Sequence, residues 1–478
     1  MGAPLPPSLV TAEAHASETT RPLFERSIKI YPRATRGTFR SWRWIFVALT
    51  QLVYYGLPWL DWHGRQAVLF DLASRKFFVF GIVLFPQDFI YLTGLLVISA
   101  LSLFLFTAVA GRLWCGYACP QTVYTDLFIW IEHRIQGDHV RRQRLVHGPW
   151  TLKRLGLQGA TLGAWATLAL WTGFTFVGYF VPIKTLGHDF IAFDANGWVV
   201  FWMLFYASFT YLQAGVLREQ VCKTMCPYAR FQSAMFDRDT LTVTYDGKRG
   251  ELRGSRPRHA DPRGLGLGDC VDCGVCVQVC PTGIDIRDGL QSACIGCGAC
   301  IDGCNDIMNR MGYARGLIRY TTEHALENKL SKRETFKRAI RPRTLIYSGI
   351  LLVLVASWAA SLAVRPTLRM DVIRDRGMLA RELDGGLIEN VYRVQLMNLT
   401  ESAQRVMLGT QGLHNALIAS DDDIALGPTE SRFIVIRVQT PRDATHPGMN
   451  ALTIQASAAN DNHGAISEST TFYSPITH

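Results

Sequence analysis

Long apolar runs, separated by blocks of arginine and lysine, dominate the hydropathy pattern of this chain. Five of them, at 42–60, 89–110, 159–182, 198–217 and 345–364, approach the roughly 20 apolar residues that a helix needs to cross a bilayer. The stretch 77–85 is apolar but too short, and reads as a loop or interfacial piece. Residues 1–41 are polar, with Pro4, Pro6, Pro7 and scattered arginines, and read as a flexible cytoplasmic tail. No secretory signal is expected, because the first apolar run begins only near Trp42 and is too long for a signal core. Beyond residue 364 the pattern changes. The runs 391–396, 433–438 and 451–456 alternate or mix β-formers between Gly, Asn, Asp and Pro clusters, predicting a small β-sandwich.

Charge turns the runs into a topology. The formal charge of +10 does not point to nucleic acid, because the basic residues sit in blocks beside apolar runs. Arg21, Arg26, Lys29, Arg33, Arg36 and Arg40 precede the first run. Arg112, Arg134, Arg141, Arg142, Arg144, Lys153 and Arg154 follow the second. Another block, Lys329 to Arg343, precedes the fifth, whereas 61–88 holds only Arg65, Arg75 and Lys76, and 183–197 only Lys184. The positive-inside rule then predicts a cytoplasmic N-terminus and a periplasmic C-terminal domain in a bacterial inner membrane. The expected domains are the tail 1–41, a four-helix membrane domain 42–217, a cytoplasmic domain 218–344, a fifth span 345–364 and the outer sandwich 365–478.

The twelve cysteines decide the chemistry. A disulfide framework suits short secreted chains; here the cysteines fall into four tight groups with metal-ligand spacing. Cys270-x-x-Cys273-x-x-Cys276-x-x-x-Cys280-Pro281 is followed, thirteen residues on, by Cys294-x-x-Cys297-x-x-Cys300-x-x-x-Cys304. This is the bacterial two-cluster ferredoxin arrangement, in which each fourth cysteine ligates the other cubane. One 4Fe–4S cluster then takes Cys270, Cys273, Cys276 and Cys304, and the other Cys294, Cys297, Cys300 and Cys280. Gly274, Gly283, Gly296 and Gly298 allow the tight turns, while Asn305 stands where a second proline is usual. A zinc ribbon needs four ligands in C-x-x-C pairs, not two runs of four. Such a cassette relays single electrons and does not name a substrate.

The remaining cysteines form two matched motifs, Cys115-x-x-x-Cys119-Pro120 and Cys222-x-x-x-Cys226-Pro227, directly after the second and fourth runs. On a helix the i, i+4 spacing puts both thiols on one face, with the proline stopping or kinking it. Four thiols at the membrane face suit Cu(I), a further cluster or a thiol–disulfide cycle. Arg112 and Lys223 are expected to favour thiolates. After the first motif, Val123, Leu127, Trp130 and Ile131 set against Asp126, Glu132 and Arg134 predict an interfacial amphipathic helix. The outer domain has no cysteine, and its His414, His446 and His463 have no ligand spacing, so it reads as a docking module.

Together these features closely resemble the CcoG family of cytochrome c oxidase accessory proteins, also called FixG or RdxA, over nearly the whole chain. The resemblance rests on Ile30-Tyr31-Pro32-Arg33, the block Trp114–Pro120, the motif Cys222–Pro227, the double cassette and the β tail, which the family makes immunoglobulin-like. It implies a role in assembling the cbb3-type haem–copper oxidase, with reduction of Cu(II) to Cu(I) as the activity. Copper is then a substrate, and membrane lipid, oxidase assembly factors or copper-transport proteins are the partners, besides an electron donor left unnamed. Quinol-linked electron transfer, as in NapH-like proteins, is the rival within redox chemistry. A scaffold with structural clusters is the rival outside it. A NosR-like regulator needs a large N-terminal flavin domain for which the segment before Trp42 is too short.

Overall fold

The computed structural model describes residues 30–258, 261, 262, 264–375, 380–458 and 465–475. Among these, four helices are long and apolar enough to cross a membrane: Pro86–Ala110, Leu152–Val177, Gly197–Leu217 and Pro342–Ala363. They correspond to the second to fifth predicted runs, the third beginning earlier, at Leu152. The first predicted run forms the helix Thr38–Gly56, which is less apolar because Arg40 and Arg43 occupy its first two turns. The structure therefore supplies four such helices where hydropathy counted five.

Small residues and one indole set the helix pairing. A Cβ on Gly173 would meet the Met203 carbonyl oxygen and the Ala207 methyl, so Leu152–Val177 and Gly197–Tyr211 touch almost backbone to backbone. Gly94 lies beneath Trp358, whose Nε1 donates to the Tyr91 carbonyl at 3.0 Å, which joins Phe89–Ala110 to Pro342–Ala363. Ile90, Leu96, Leu352 and Val353 point outward from that pair and are exposed.

The tail expected to run to residue 41 is replaced, from Ile30 on, by an extended strap that leads into the helix at Thr38. Arg33 N–H donates to the Gln278 carbonyl, and Arg142 donates to the Pro32 carbonyl at 2.9 Å. Residues 1–29 lie outside the described part of the chain.

The C-terminal domain is a sandwich of two antiparallel sheets. One runs Leu417–Ile418, Ser431–Pro441, Leu387–Asn398 and Leu368–Arg374, with Arg381–Leu383 also on Leu387–Asn398. The other runs Asp423–Leu426, Gln404–Gln411, Gly448–Ala458 and Ile466–Ser474. All three predicted β runs fall inside these strands, and their alternation buries Tyr392, Val394, Leu396, Ile436, Val438, Leu452 and Ile454 in one core. His414 and His446 give backbone groups to turns; His463 lies outside the described residues.

The segment 77–85, expected to be a loop, instead supplies two strands of a three-stranded sheet, Val68–Asp71, Lys76–Val79 and Ile82–Leu84. Its reason is tertiary. Leu69, Phe78, Val83 and Phe85 form an apolar cluster with Met397 and Leu399 of the sandwich. Around it, Arg365 and Arg369 converge on buried Asp88, and His63 and Arg65 on Glu401. The sandwich thus docks on its own chain.

The cysteine cassette is a small α+β unit. Thr242–Tyr245 and Ile318–Thr321 pair antiparallel, and the helices Val275–Gln278 and Ala299–Met311 pack beside them. Each helix is entered through a left-handed glycine, Gly274 at φ 64° and Gly298 at φ 73°, a conformation that costs other residues steric strain.

Candidate redox site

The cassette folds its eight cysteines around two cavities. Cys270, Cys273, Cys276 and Cys304 line one, together with Tyr245 and Arg287. Cys280, Cys294, Cys297 and Cys300 line the other, which Cys276 also borders. Each wall therefore joins three thiols of one run to the last thiol of the other. The remaining lining is mostly Val and Ile, an apolar sulfur-rich setting that suits a cubane rather than a small hard ion. Among the described residues no three His, Cys, Asp or Glu side chains converge tightly enough for a single ion. Cys273 is the exposed member of the twelve.

The two C-x-x-x-C-P motifs share one local design, which differs from the single helix face expected. Cys115 lies in the helical turn Leu113–Tyr117, and Cys119 is the extended residue that caps the next helix, Pro120–Gln136. Cys222 lies in the wide turn Val221–Met225, and Cys226 caps Pro227–Met235 in the same way. Each proline opens a helix instead of ending one, because the first helical position needs no N–H and favours its fixed φ. The motifs come from different parts of the chain, yet the thiols of Cys115, Cys119 and Cys222 all feel the charge of Cys226 or of one another. Tertiary structure has gathered the four.

Burial sets their protonation. Cys115 is pushed up to about 11 and Cys222 to about 12, chiefly by desolvation and then by neighbouring cysteines. Cys119 is also raised by burial, against the opposing N–H groups of Gln121 and Thr122. Arg112 pulls Cys115 and Cys222 down but does not outweigh burial. The expected thiolates are therefore neutral thiols near pH 7. The Cys115 thiol donates to Gln232 Oε1 at 3.3 Å, and Gln232 Nε2 donates to Thr107 Oγ1 at 3.2 Å. Gln232 is fully buried, and its place in a polar stretch of sequence carried no signal of this role.

The first motif rests directly on the second cassette cavity. A Cβ built on Gly116 would stand 2.9 Å from Cys297 Cα and from the carbonyl oxygens of Ile295 and Gly296. Tyr117 Oη donates to the Cys297 carbonyl, and Tyr320 Oη to that of Gly296 at 2.5 Å. Arg112, itself buried, donates to the carbonyls of Ser292, Cys294 and Ala229, tying the cassette loop to the helix after Cys226. Cys115 and Cys222 pack against the apolar cluster that contains Cys297.

A buried ion triad aligns the motifs. Glu132 accepts from Arg142 at 3.0 Å and from Arg218 at 2.5 Å, all three being at most 3 % exposed in their side chains. Arg142 comes from the helix His139–His147, and Arg218 stands four residues before Cys222. On the same helix Asp126 is buried and pairs with Arg43 at 2.5 Å, while Trp130 is exposed. Two acids of the predicted polar face are thus buried, because they meet arginines, while Arg134 of that face stays exposed and Val123 of the apolar face is buried. From the cassette, the Asp302 carboxylate accepts the Phe39 and Arg40 N–H groups at 3.4 and 2.8 Å, capping the first helix in trans.

Three family models match this architecture. A 4Fe–4S dicluster domain covers residues 217–323, a 4Fe–4S binding domain covers 92–137, and the immunoglobulin-like fold at the C-terminus of FixG covers 358–475. Protein RdxA of Cereibacter sphaeroides is 38% identical over 91% of this chain and 94% of its own length. The chain belongs to the RdxA/FixG family. Nitrogen fixation protein FixG of Rhizobium meliloti is 37% identical over 84% of this chain and 82% of its own. Protein RdxB of Cereibacter sphaeroides is 39% identical over 85% of each. This is accordingly a FixG/RdxA-type iron–sulfur redox protein with apolar helices of membrane-spanning length. The 92–137 match includes Cys115 and Cys119.

Proposed function

We propose that the chain reduces Cu(II) to Cu(I) at the four gathered thiols, in support of cbb3-type oxidase assembly. The observation that carries this is the contact of Gly116 with the Ile295–Cys297 backbone, which seats Cys115 on the wall of a cassette cavity. Cys270, Cys273, Cys276 and Cys304 hold one 4Fe–4S cluster, and Cys280, Cys294, Cys297 and Cys300 the other. When bound, such clusters supply electrons one at a time. Copper is held by two at a time of Cys115, Cys119, Cys222 and Cys226, which release their protons on binding and favour the softer Cu(I) product. Each Cu(II) takes one electron from the cassette and leaves as Cu(I); Cu–S bonds form as the thiol protons pass to solvent and break as the protons return. Gln232 orients Cys115, and Arg112 keeps motif and cassette in register.

In this reading the protein lies in the bacterial inner membrane with its cassette cytoplasmic and its sandwich periplasmic. Thr38–Gly56 crosses as well. Copper-transport proteins or oxidase assembly factors are the partners, and a separate donor reloads the cassette. The test uses holoprotein reduced anaerobically and freed of excess reductant. Cu(II) is added with a Cu(I)-specific chromogenic chelator, and wild type is compared with Cys115→Ser plus Cys226→Ser. Loss of Cu(I) production with cluster absorbance retained is the expected result. If neither protein makes Cu(I) while the clusters stay redox-active, copper reduction is excluded and quinol-linked transfer or a scaffold role takes its place.

A further inference from the structure

A cavity of about 670 Å³ opens where the strap meets the first helix and Pro120–Gln136. Neither the cassette nor the thiols use it. Its polar wall is strongly cationic: Arg33, Arg36, Arg40, Arg43 and His133 face a single acid, Asp126. Asp126 is shared by Arg40 at 3.4 Å and Arg43 at 2.5 Å. Arg33 meets the neutral Gln278 amide, and Arg36 has no acidic partner among the described residues. Arg43, 3% exposed, is already held by Asp126. One carboxylate against four arginines leaves a cationic surplus in the wall that an anion would balance.

The opposite wall is apolar. Trp44, Ile45, Ile129 and Trp130 line it, with Ile45 and Trp130 open to the outside at 53% and 42%. The Arg40 guanidinium lies 5.1 Å over the Trp44 ring. Tryptophans beside arginines at the foot of an apolar helix mark the headgroup layer. A free phosphate would use the arginines and leave the apolar wall idle. A neutral quinone would use the wall and leave the arginines uncompensated.

We infer that this cavity binds the phosphate of an anionic phospholipid, with its acyl chains along Ile45 and Trp130. Val279, Pro281 and Ala299, neighbours of Cys280 and Cys300, also line the cavity, so the bound lipid fastens the cassette to the membrane. The inference rests on the membrane placement and not on the copper chemistry. The test uses detergent-purified full-length holoprotein and native mass spectrometry. Short-chain phosphatidylglycerol, phosphatidylcholine of equal chain length, inorganic phosphate and a short-chain quinone are titrated separately and in competition. Phosphatidylglycerol is expected to bind at least about tenfold more tightly than phosphatidylcholine, since each arginine near an anionic headgroup is worth roughly fivefold. Arg33→Gln with Arg36→Gln should weaken it on the order of 20-fold by the same measure, while Arg393→Gln, exposed on the sandwich, leaves it unchanged. If the double variant loses its clusters, exposed Arg36→Gln alone must still lose about fivefold. Equal binding of the two lipids, displacement by phosphate at equal concentration or displacement by the quinone would each overturn the assignment.

Discussion

Replacing Gly116 by Ala inserts one methyl between the first cysteine motif and the cassette. The added Cβ would lie 2.9 Å from three backbone atoms, where ordinary contact begins near 3.4 Å, so the surfaces must part by about half an ångström. None of the three atoms is the end of a flexible side chain. Overpacking of this kind costs about 1–3 kcal/mol, and the better helix propensity of Ala returns up to about 1 kcal/mol. The net, about 1–2 kcal/mol, opens the junction roughly 5- to 30-fold more often. Alkylation of Cys115 at fixed pH should accelerate by that factor, and Cu(I) production should fall, with cluster absorbance intact. Gly156→Ala, on Leu152–Val177 with nothing within 4 Å, is the control and should change neither rate. An unchanged alkylation rate in Gly116→Ala would refute the claim that this contact seats the thiols.

Four further outcomes follow from the same structure. Glu132→Gln strands two buried arginines and should cost about 3–5 kcal/mol, read as loss of folded holoprotein; Glu132→Leu with Arg142→Met and Arg218→Met should recover much of it. Alkylation of Cys115 and Cys222 should rise about tenfold per pH unit above neutrality without levelling before the values near 11 and 12. Because both thiols are raised in the folded chain, their stabilising contribution is full below the ordinary thiol value of 9.0 and is lost as pH climbs through about 11–12, so a denaturation midpoint that rises over this window would contradict the burial argument. Asp302→Ala removes the cap on Thr38–Gly56 and should cost about 0.5–2 kcal/mol, with faster proteolysis of the strap, whereas Asp302→Asn should behave nearly as wild type.

Local chemistry wrote much of this protein into its sequence. Cysteine spacing declared the cassette, since three thiols two residues apart can embrace only one cubane. Apolar runs of helix length declared five helices, four of which are long and apolar enough to span, and β-former alternation declared the sandwich, because each property belongs to a contiguous segment. What depends on distant partners was not legible. Residues 77–85 became strands only because the sandwich covers them. Asp126 and Glu132 looked like a solvated face, and were buried by arginines from three other segments. Arg112 looked like a thiolate former, but desolvation, which no linear pattern reports, outweighed it. The convergence of the two cysteine motifs on one cassette cavity is of the same kind: 103 residues separate Cys119 from Cys222, and only packing closes that gap.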